Sequence, residues 1–300
     1  MILVAFPDMV ALTDRIARQL SARACPLEWH HFPDGESLVT LPDGLANADV
    51  AIVACLRNPD RIALPLRFAA ETARELGAAR VGLIAPYMSY MRQDARFQPG
   101  QAVSAPLFAR FLGESFDWLV TVDPHLHRIV RLEEIFPIPA IRVPTASQIA
   151  AWIVRDTPDA LLVGPDSESQ QWVAEVAKMA GRPHEVLQKT RTGDRNVQLS
   201  VPQHVDFSVG TPVILDDIAS SGRTMVQAVE RVLAAGAKPP VCVLIHAVFA
   251  GTAYEDIAEA GAACTVTTDT IPHVSNSISI AEHIADAVQQ VVLSKPVKGA

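Results

Sequence analysis

The sequence predicts an α/β protein of two tandem domains with mostly parallel sheets, and three observations carry that expectation. Short apolar, β-branched runs end in polar or acidic residues and pass into segments of helical spacing, repeatedly along the chain. The 300 residues are 49% hydrophobic, enough for two ordinary cores and too apolar for a disordered chain. A stretch at 133–143 with Pro137 and Pro139, followed by Pro144, looks like a connection that divides the alternation in two. The expected domains are therefore 1–143 and 144–300, with the tail after about 280 returning to pack on the first.

Taken in order, Ile2–Phe6 is expected as a strand, Met9–Leu20 as a helix and Leu27–Trp29 as a short strand. Ala51–Leu56 and Val81–Ala85 are strands on either side of a helix over Ile62–Leu76, which Gly77 stops. A helix over Ala102–Leu112 leads into a strand at Trp118–Val122. The second half repeats the grammar: a helix from Thr145, a strand at Ala160–Gly164, a loop at Pro165–Ser169 and a helix over Gln170–Ala180.

Composition excludes several classes. Lys plus Arg number 25 against 33 acids, a formal net charge of -8, which argues against general nucleic-acid binding. No apolar stretch reaches membrane-spanning length, and Met1–Phe6 begins as a strand without a basic leader. Cys25, Cys55, Cys242 and Cys264 lack metal-ligand spacing and sit in apolar runs, so buried, reduced thiols in a cytoplasmic protein are expected.

The stretch with the densest chemistry is Gly210–Gly236, GTPVILDDIASSGRTMVQAVERVLAAG. Val213–Leu215 is a strand-like run ending in Asp216 and Asp217; Ser220, Ser221, Gly222, Arg223 and Thr224 form a small polar loop; a helix follows. Such a loop aims backbone N–H groups at an anion, and the helix adds the positive end of its dipole. The two acids suit hydroxyls or a hydrated Mg²⁺ better than a phosphate.

Other polar groups leave the C-terminal ends of expected strands, the edge where open α/β sheets bind ligands. They are Arg92, Gln93, Asp94 and Arg96 after Val81–Ala85; Asp123, His125, His127 and Arg128 after Trp118–Val122; and Asp166 after Ala160–Gly164. Phe32, Asp34 and Glu36 lie in a Pro/Gly turn. The polar segment 188–197, with Lys189 and Arg191, has the composition of an exposed hairpin tip, and equally suits a loop that neutralises a transferring group.

The order of these pieces resembles the ribose-phosphate diphosphokinase family, built from two type I phosphoribosyltransferase-like domains. Its carriers are Phe32–Glu36, Arg92-Gln93-Asp94, Thr121-Val122-Asp123-Pro124-His125, Pro165-Asp166, Lys189-Thr190-Arg191, Asp216–Thr224 and Thr268-Asp269-Thr270-Ile271-Pro272. The Lys189–Arg191 and Phe97–Gly100 segments are closer to the archaeal-type branch. The resemblance implies transfer of a diphosphoryl group from ATP to ribose 5-phosphate, with Mg²⁺ as cofactor and an even-numbered homo-oligomer.

It also implies roles. Phe32, Asp34, Glu36, Arg92 and Gln93 would hold ATP in the first domain. Asp216, Asp217 and Ser220 to Thr224 would hold ribose 5-phosphate in the second. His125 and Asp166 would be Mg²⁺-linked, and Lys189 and Arg191 catalytic. A phosphoribosyltransferase and a catalytically silent regulatory subunit are the alternatives. Departures from the family pattern are Ser167-Glu168-Ser169 after Asp166, Arg57–Arg61 after the second long strand, and Ser220 where many members carry aspartate.

Overall fold

The computed structural model describes residues 1–126, 128–192, 196–200, 207 and 210–293, with backbone alone at 189–192 and 196–200. The chain forms two compact units, Met1–Val143 rejoined by the segment from Ile280, and Pro144–Ser279.

In unit 1, β1 (Ile2–Ala5), α1 (Val10–Leu20) and β2 (Arg23–Pro26) precede a hairpin of β3 (Glu28–His31) and β4 (Ser37–Thr40). Then come β5 (Asp49–Val53), α2 (Pro59–Glu75), β6 (Arg80–Ala85), α3 (Ser104–Gly113), β7 (Trp118–Val122) and β8 (Ala140–Val143). The sheet order is β2-β1-β5-β6-β7-β8, and every neighbouring pair is parallel. Parallel strands need helical crossovers, which cover both faces, so interior strands are continuous apolar runs. All four residues of β1 and all five of β7 are buried, and each fully buried aliphatic side chain contributes roughly 1.5–3 kcal/mol.

Unit 2 repeats the plan. It holds α4 (Ala146–Asp156), β9 (Ala160–Gly164), α5 (Gln170–Ala180), β10 (His184–Val186) and a hairpin of β11 (Gln188–Thr192) and β12 (Asn196–Ser200). These are followed by β13 (Thr211–Ser220), α6 (Arg223–Ala234), β14 (Val241–Phe249), α7 (Ala253–Glu259), β15 (Cys264–Thr268) and β16 (Asn276–Ile278). Its sheet order is β10-β9-β13-β14-β15-β16, strand for strand the order of unit 1, with an antiparallel hairpin at the same place in the chain. The helix packed beside the first helix and the last strand differs in origin. In unit 2 it is α4, on α5 and β16; in unit 1 it is α8 (Ala281–Leu293), on α1, β7 and β8.

Three expectations need correcting. The stretch expected as a connection contains β8, which pairs with β7 as an edge strand. Proline cannot donate to a ladder but can precede an edge strand, and the Pro139 carbonyl accepts from Leu119 N–H at 2.9 Å. The strand expected at Val213–Leu215 is the ten-residue β13, which carries both acids and ends at Ser220. Cys264 is exposed, whereas Cys25, Cys55 and Cys242 are buried. Among the described residues no helix is long and apolar enough to cross a membrane.

The close approach of β6 and β7 depends on Gly82. A Cβ at that position would lie 1.9 Å from the Trp118 ring, which fills the space over the strand. Gly82→Ala is expected to lower the unfolding free energy by about 1–3 kcal/mol through overpacking. Urea unfolding would read it, and an unchanged midpoint would contradict this packing.

Candidate active site

In unit 2 the chain leaves β9 toward α5 on one side and β13 toward α6 on the other, so a crevice opens between β9 and β13 at their C-terminal ends. The pairing of β13 with β9 stops at Ile214↔Val163, while its pairing with β14 continues through Asp216↔Leu244 and Ile218↔His246 to Ser220↔Phe249. Asp216 and Asp217 therefore project past the end of β9, still held in register by β14. Asp166 enters from the other side of the crevice, two residues beyond β9.

The three acids feel one another. Burial raises the proton affinity of Asp216 well above the ordinary carboxylate range; the Asp217 charge raises it further, the Asp217 N–H opposes this, and Asp166 adds to it. Asp216 Oδ1 accepts the Asp217 N–H at 2.9 Å, and Asp217 Oδ1 accepts the Ile218 N–H at 2.8 Å. A phosphate would be repelled here; sugar hydroxyls, or a hydrated divalent cation carried by a phosphate, would be welcomed. Among the described residues no group of three or more His, Cys, Asp or Glu converges as a metal site. Carboxylate oxygens are the donors that Mg²⁺ takes together with waters and phosphate oxygens.

A few residues on, the polarity reverses. Ser220 (φ 49°) and Gly222 (φ 76°) turn the chain in the left-handed region, which Gly adopts without cost. Gly222 N–H closes the turn onto the Ala219 carbonyl at 2.9 Å, and Ala250 N–H donates to the Ser220 carbonyl at 2.9 Å. A Cβ at Gly222 would come within 3.0 Å of the Ala253 methyl. The N-cap residue of α6 is Gly222, which has no side chain to cap it, so the first N–H groups of the helix and the exposed Ser221 and Arg223 surround a place suited to an anion. Glu168, an expected disturbance beside Asp166, is exposed; its N–H donates to Asp166 Oδ1 at 3.0 Å, and the Ser169 hydroxyl donates to the Asp166 carbonyl at 2.7 Å. The departure Ser167-Glu168-Ser169 is thus a turn that fixes Asp166.

Lys189 and Arg191 lie on β11, opposite Leu199 and Val197 of β12. Their side chains, and the hairpin tip at 193–195, lie outside the described residues.

In unit 1 the corresponding crevice, between β1 and β5, has different chemistry. Pro7-Asp8 follows β1 as Pro165-Asp166 follows β9, but the segment after β5 is Ala54-Cys55-Leu56-Arg57 with no acid pair. Burial raises Asp8 above the ordinary carboxylate range and pushes the Cys55 thiol up to about 12, which leaves that thiol unreactive.

Two of the residues expected to hold ATP, and His125, expected to be Mg²⁺-linked, lie farther along the sheet. Arg92 and Gln93 follow β6, His125 follows β7, and His127 lies outside the described residues. Gln93 Oε1 accepts from the Ser104 hydroxyl at 2.6 Å, and its carbonyl accepts the Ala105 N–H. Arg92 is exposed. Asp94 accepts from the Arg128 N–H at 3.1 Å and from its guanidinium at 2.8 Å. Burial pushes Asp94 upward, but those two bonds outweigh it and hold the carboxyl below its ordinary range. After β7, Asp123 sits at φ 27° with its carboxylate held by the Arg142 guanidinium at 2.6 Å.

Phe32, Asp34 and Glu36 occupy the tip of the β3–β4 hairpin. Phe32 N–H donates to the Glu36 carbonyl, Gly35 N–H to the Phe32 carbonyl, and Glu36 N–H to Asp34 Oδ1. Trp29 anchors the hairpin on unit 1, edge-on to Phe6 at 5.4 Å with Arg61 over its ring, while Phe32 stays 40% exposed.

The structure therefore brings together Asp166, Asp216, Asp217 and the Ser220–Thr224 loop in one unit, and ties the Arg92-Gln93 segment to the His125 segment in the other. The bond between Asp94 and Arg128 escaped sequence reading, because a separation of 34 positions leaves no spacing signal.

These features define a doubly wound α/β protein with an acid-lined crevice and a tight polar loop at a helix start, the class of the phosphoribosyltransferase fold. Residues 1–115 match the N-terminal domain of ribose phosphate pyrophosphokinase, and residues 133–282 match the phosphoribosyl transferase domain. The ribose-phosphate pyrophosphokinase of Methanopyrus kandleri is 31% identical over 97% of this chain and 99% of its own length; that of Methanosarcina acetivorans is 31% identical over 96% and 99%. The crystal structure of phosphoribosylpyrophosphate synthetase from Mycobacterium smegmatis has the same fold, with a TM-score of 0.83 at 23% identity over 97% of this chain and 98% of that one. The chain belongs to the ribose-phosphate pyrophosphokinase family, also called diphosphokinase, and its relatives are mostly archaeal.

The raised Asp216 makes a stability prediction. A carboxyl that binds its proton more tightly folded than unfolded stabilises the fold fully below the ordinary carboxylate pKa, and that stability is lost as pH rises through the raised value. Asp216→Asn, which keeps the acceptor for Asp217 N–H, is expected to melt at a higher temperature than wild type at pH 8 and to match it near pH 4. A variant less stable than wild type at pH 8 would contradict the repulsion among these acids.

Proposed function

We propose that this chain transfers the diphosphoryl group of ATP to the 1-hydroxyl of ribose 5-phosphate, giving phosphoribosyl diphosphate and AMP. The observation that carries the reading is the reversal of polarity along 216–224. Three acids that suit hydroxyls lie beside an uncapped helix terminus that suits phosphate, the pattern a ribose 5-phosphate would present.

In this reading unit 2 is the sugar domain. Asp216 and Asp217 accept from ribose hydroxyls, and Ser220, Ser221, Gly222, Arg223 and Thr224 hold the 5-phosphate. Unit 1 is the nucleotide domain, where Arg92 and Gln93 hold ATP. Phe32, Asp34 and Glu36 reach ATP from a neighbouring subunit, which makes the protein a dimer or a higher even-numbered homo-oligomer. His125 and Asp166 serve Mg²⁺, which enters with the nucleotide and offsets charge on its phosphates.

The 1-hydroxyl oxygen forms a bond to the β-phosphorus as the bond from that phosphorus to the α,β-bridging oxygen breaks. AMP leaves with the bridging oxygen, and the hydroxyl proton passes to solvent. Such transfer needs positioning and charge balance, with no covalent enzyme intermediate. Lys189 and Arg191 supply the balance on the diphosphoryl group. Ser220 supplies no carboxylate to act as a base, which favours this reaction over base-dependent phosphoribosyl transfer.

The test combines ³¹P NMR with one substitution. Ribose 5-phosphate and Mg-ATP are expected to give AMP and a 1-diphosphoryl sugar phosphate; ADP, or no turnover, would overturn the reading. Lys189→Ala is expected to lower kcat about 10²–10³-fold, with nucleotide affinity within about threefold of wild type, because its contact strengthens in the transition state.

A further inference from the structure

Two segments of unit 1 carry expected site residues: Arg92 and Gln93, expected to hold ATP, lie between β6 and α3, and His125, expected to be Mg²⁺-linked, lies after β7. Each has its own anchors. In the first, Met88 and Met91 are buried, the Tyr90 hydroxyl donates to Asp60, and Gln93 is tied to Ser104 and Ala105 at the start of α3. In the second, Ile129 is buried and Leu126 packs on the same core. Pairing of β6 with β7, the Val122 N–H on the Pro86 carbonyl at 3.4 Å and the shared core start the two segments side by side, and leave their polar ends to be tied.

Asp94 and Arg128 join them. The Asp94 side chain is 3% exposed and receives two bonds from one residue of the other segment: Arg128 N–H reaches Oδ2 at 3.1 Å and the guanidinium reaches Oδ1 at 2.8 Å. One contact fixes the backbone and the other the side chain, so both position and orientation are set. Phe97, three residues beyond Asp94, lies under the same guanidinium at 5.5 Å, so the first segment grips Arg128 from two sides.

We infer that the Asp94–Arg128 pair is a latch that holds the Arg92-Gln93 segment at a fixed distance from the His125 segment, making Asp94 a positioning residue for the nucleotide. Asp94 acts through its immediate neighbours, Gln93 and Arg92, and Arg128 through the backbone that carries His125. Breaking the latch loosens nucleotide contacts while the acid crevice and phosphate loop of unit 2, built from other strands, keep their arrangement. The inference rests on the nucleotide being held by Arg92 and Gln93, and its test reads binding apart from turnover.

Asp94→Asn, Arg128→Gln, the double variant and Arg128→Lys would be compared with the full-length wild type. Calorimetric affinity for Mg-ATP would be measured without sugar, alongside KM for both substrates and the melting temperature. Each single change is expected to weaken Mg-ATP binding and raise its KM about tenfold, consistent with loss of a charge-assisted bond. KM for ribose 5-phosphate should stay within about twofold and the melting temperature within a few degrees. The double variant should bind no more weakly than the worse single one, and Arg128→Lys should recover much of the loss. If Asp94→Asn does not fold, Arg128→Gln carries the test, since its side chain is 61% exposed. Unchanged Mg-ATP affinity in folded Arg128→Gln would overturn the latch, as would equal losses for both substrates that track a lowered melting temperature. A wild type that binds Mg-ATP but forms no AMP would overturn the proposed reaction alone, because the calorimetric ratios still decide the latch.

Discussion

Two opposed electrostatic demands meet within a few residues at the end of β13. The strand delivers Asp216 and Asp217 into a crevice already facing Asp166, and the chain then turns through Ser220 and Gly222 to start a helix whose first N–H groups lack a side-chain cap. Acids beside one another destabilise the folded protein, and an uncapped helix start leaves donors unsatisfied. A ligand with hydroxyls at one end and a phosphate at the other relieves both. Local strain at a binding edge is tolerated because the parallel sheet behind it is buried on both faces and pinned by β14.

The same strand order occurs twice, yet the two crevices differ. In unit 2 β13 itself carries the acids and a glycine turn follows it; in unit 1 the segment after β5 supplies Cys55, Leu56 and Arg57. Pro-Asp follows the first strand of both units. Fold alone therefore does not distinguish the two crevices, and their side chains do. Arg92 and Gln93 of unit 1 follow a later strand, where the Asp94 side chain ties their segment to the one that follows β7.

Much of this was legible in the sequence, for physical reasons that differ by element. Strands such as Ile2–Ala5 and Ala160–Gly164 announce themselves because a strand covered on both faces must be a continuous apolar run. The turn between β13 and α6 was legible because strand, acids, small residues and helix lie consecutively. Ala140–Val143 was misread because prolines mark both linkers and edge strands, and only pairing with β7 tells them apart. The full length of β13 was hidden because its last residues are polar, held in the sheet by hydrogen bonds to β14. The Asp94–Arg128 bond and the mutual field of Asp166 and Asp216 join residues distant in sequence, which local pattern does not encode.

The measurement that bears most directly on this account is calorimetric titration of ribose 5-phosphate into two variants, Asp217→Ala in the acid crevice of unit 2 and Arg57→Ala in the equivalent crevice of unit 1. The account predicts affinity weakened roughly 10–100-fold in the first, from loss of a charged hydrogen-bonding partner, and unchanged within about twofold in the second. Unaltered affinity in Asp217→Ala together with weakened binding in Arg57→Ala would place the sugar phosphate in the wrong half of the molecule and contradict it.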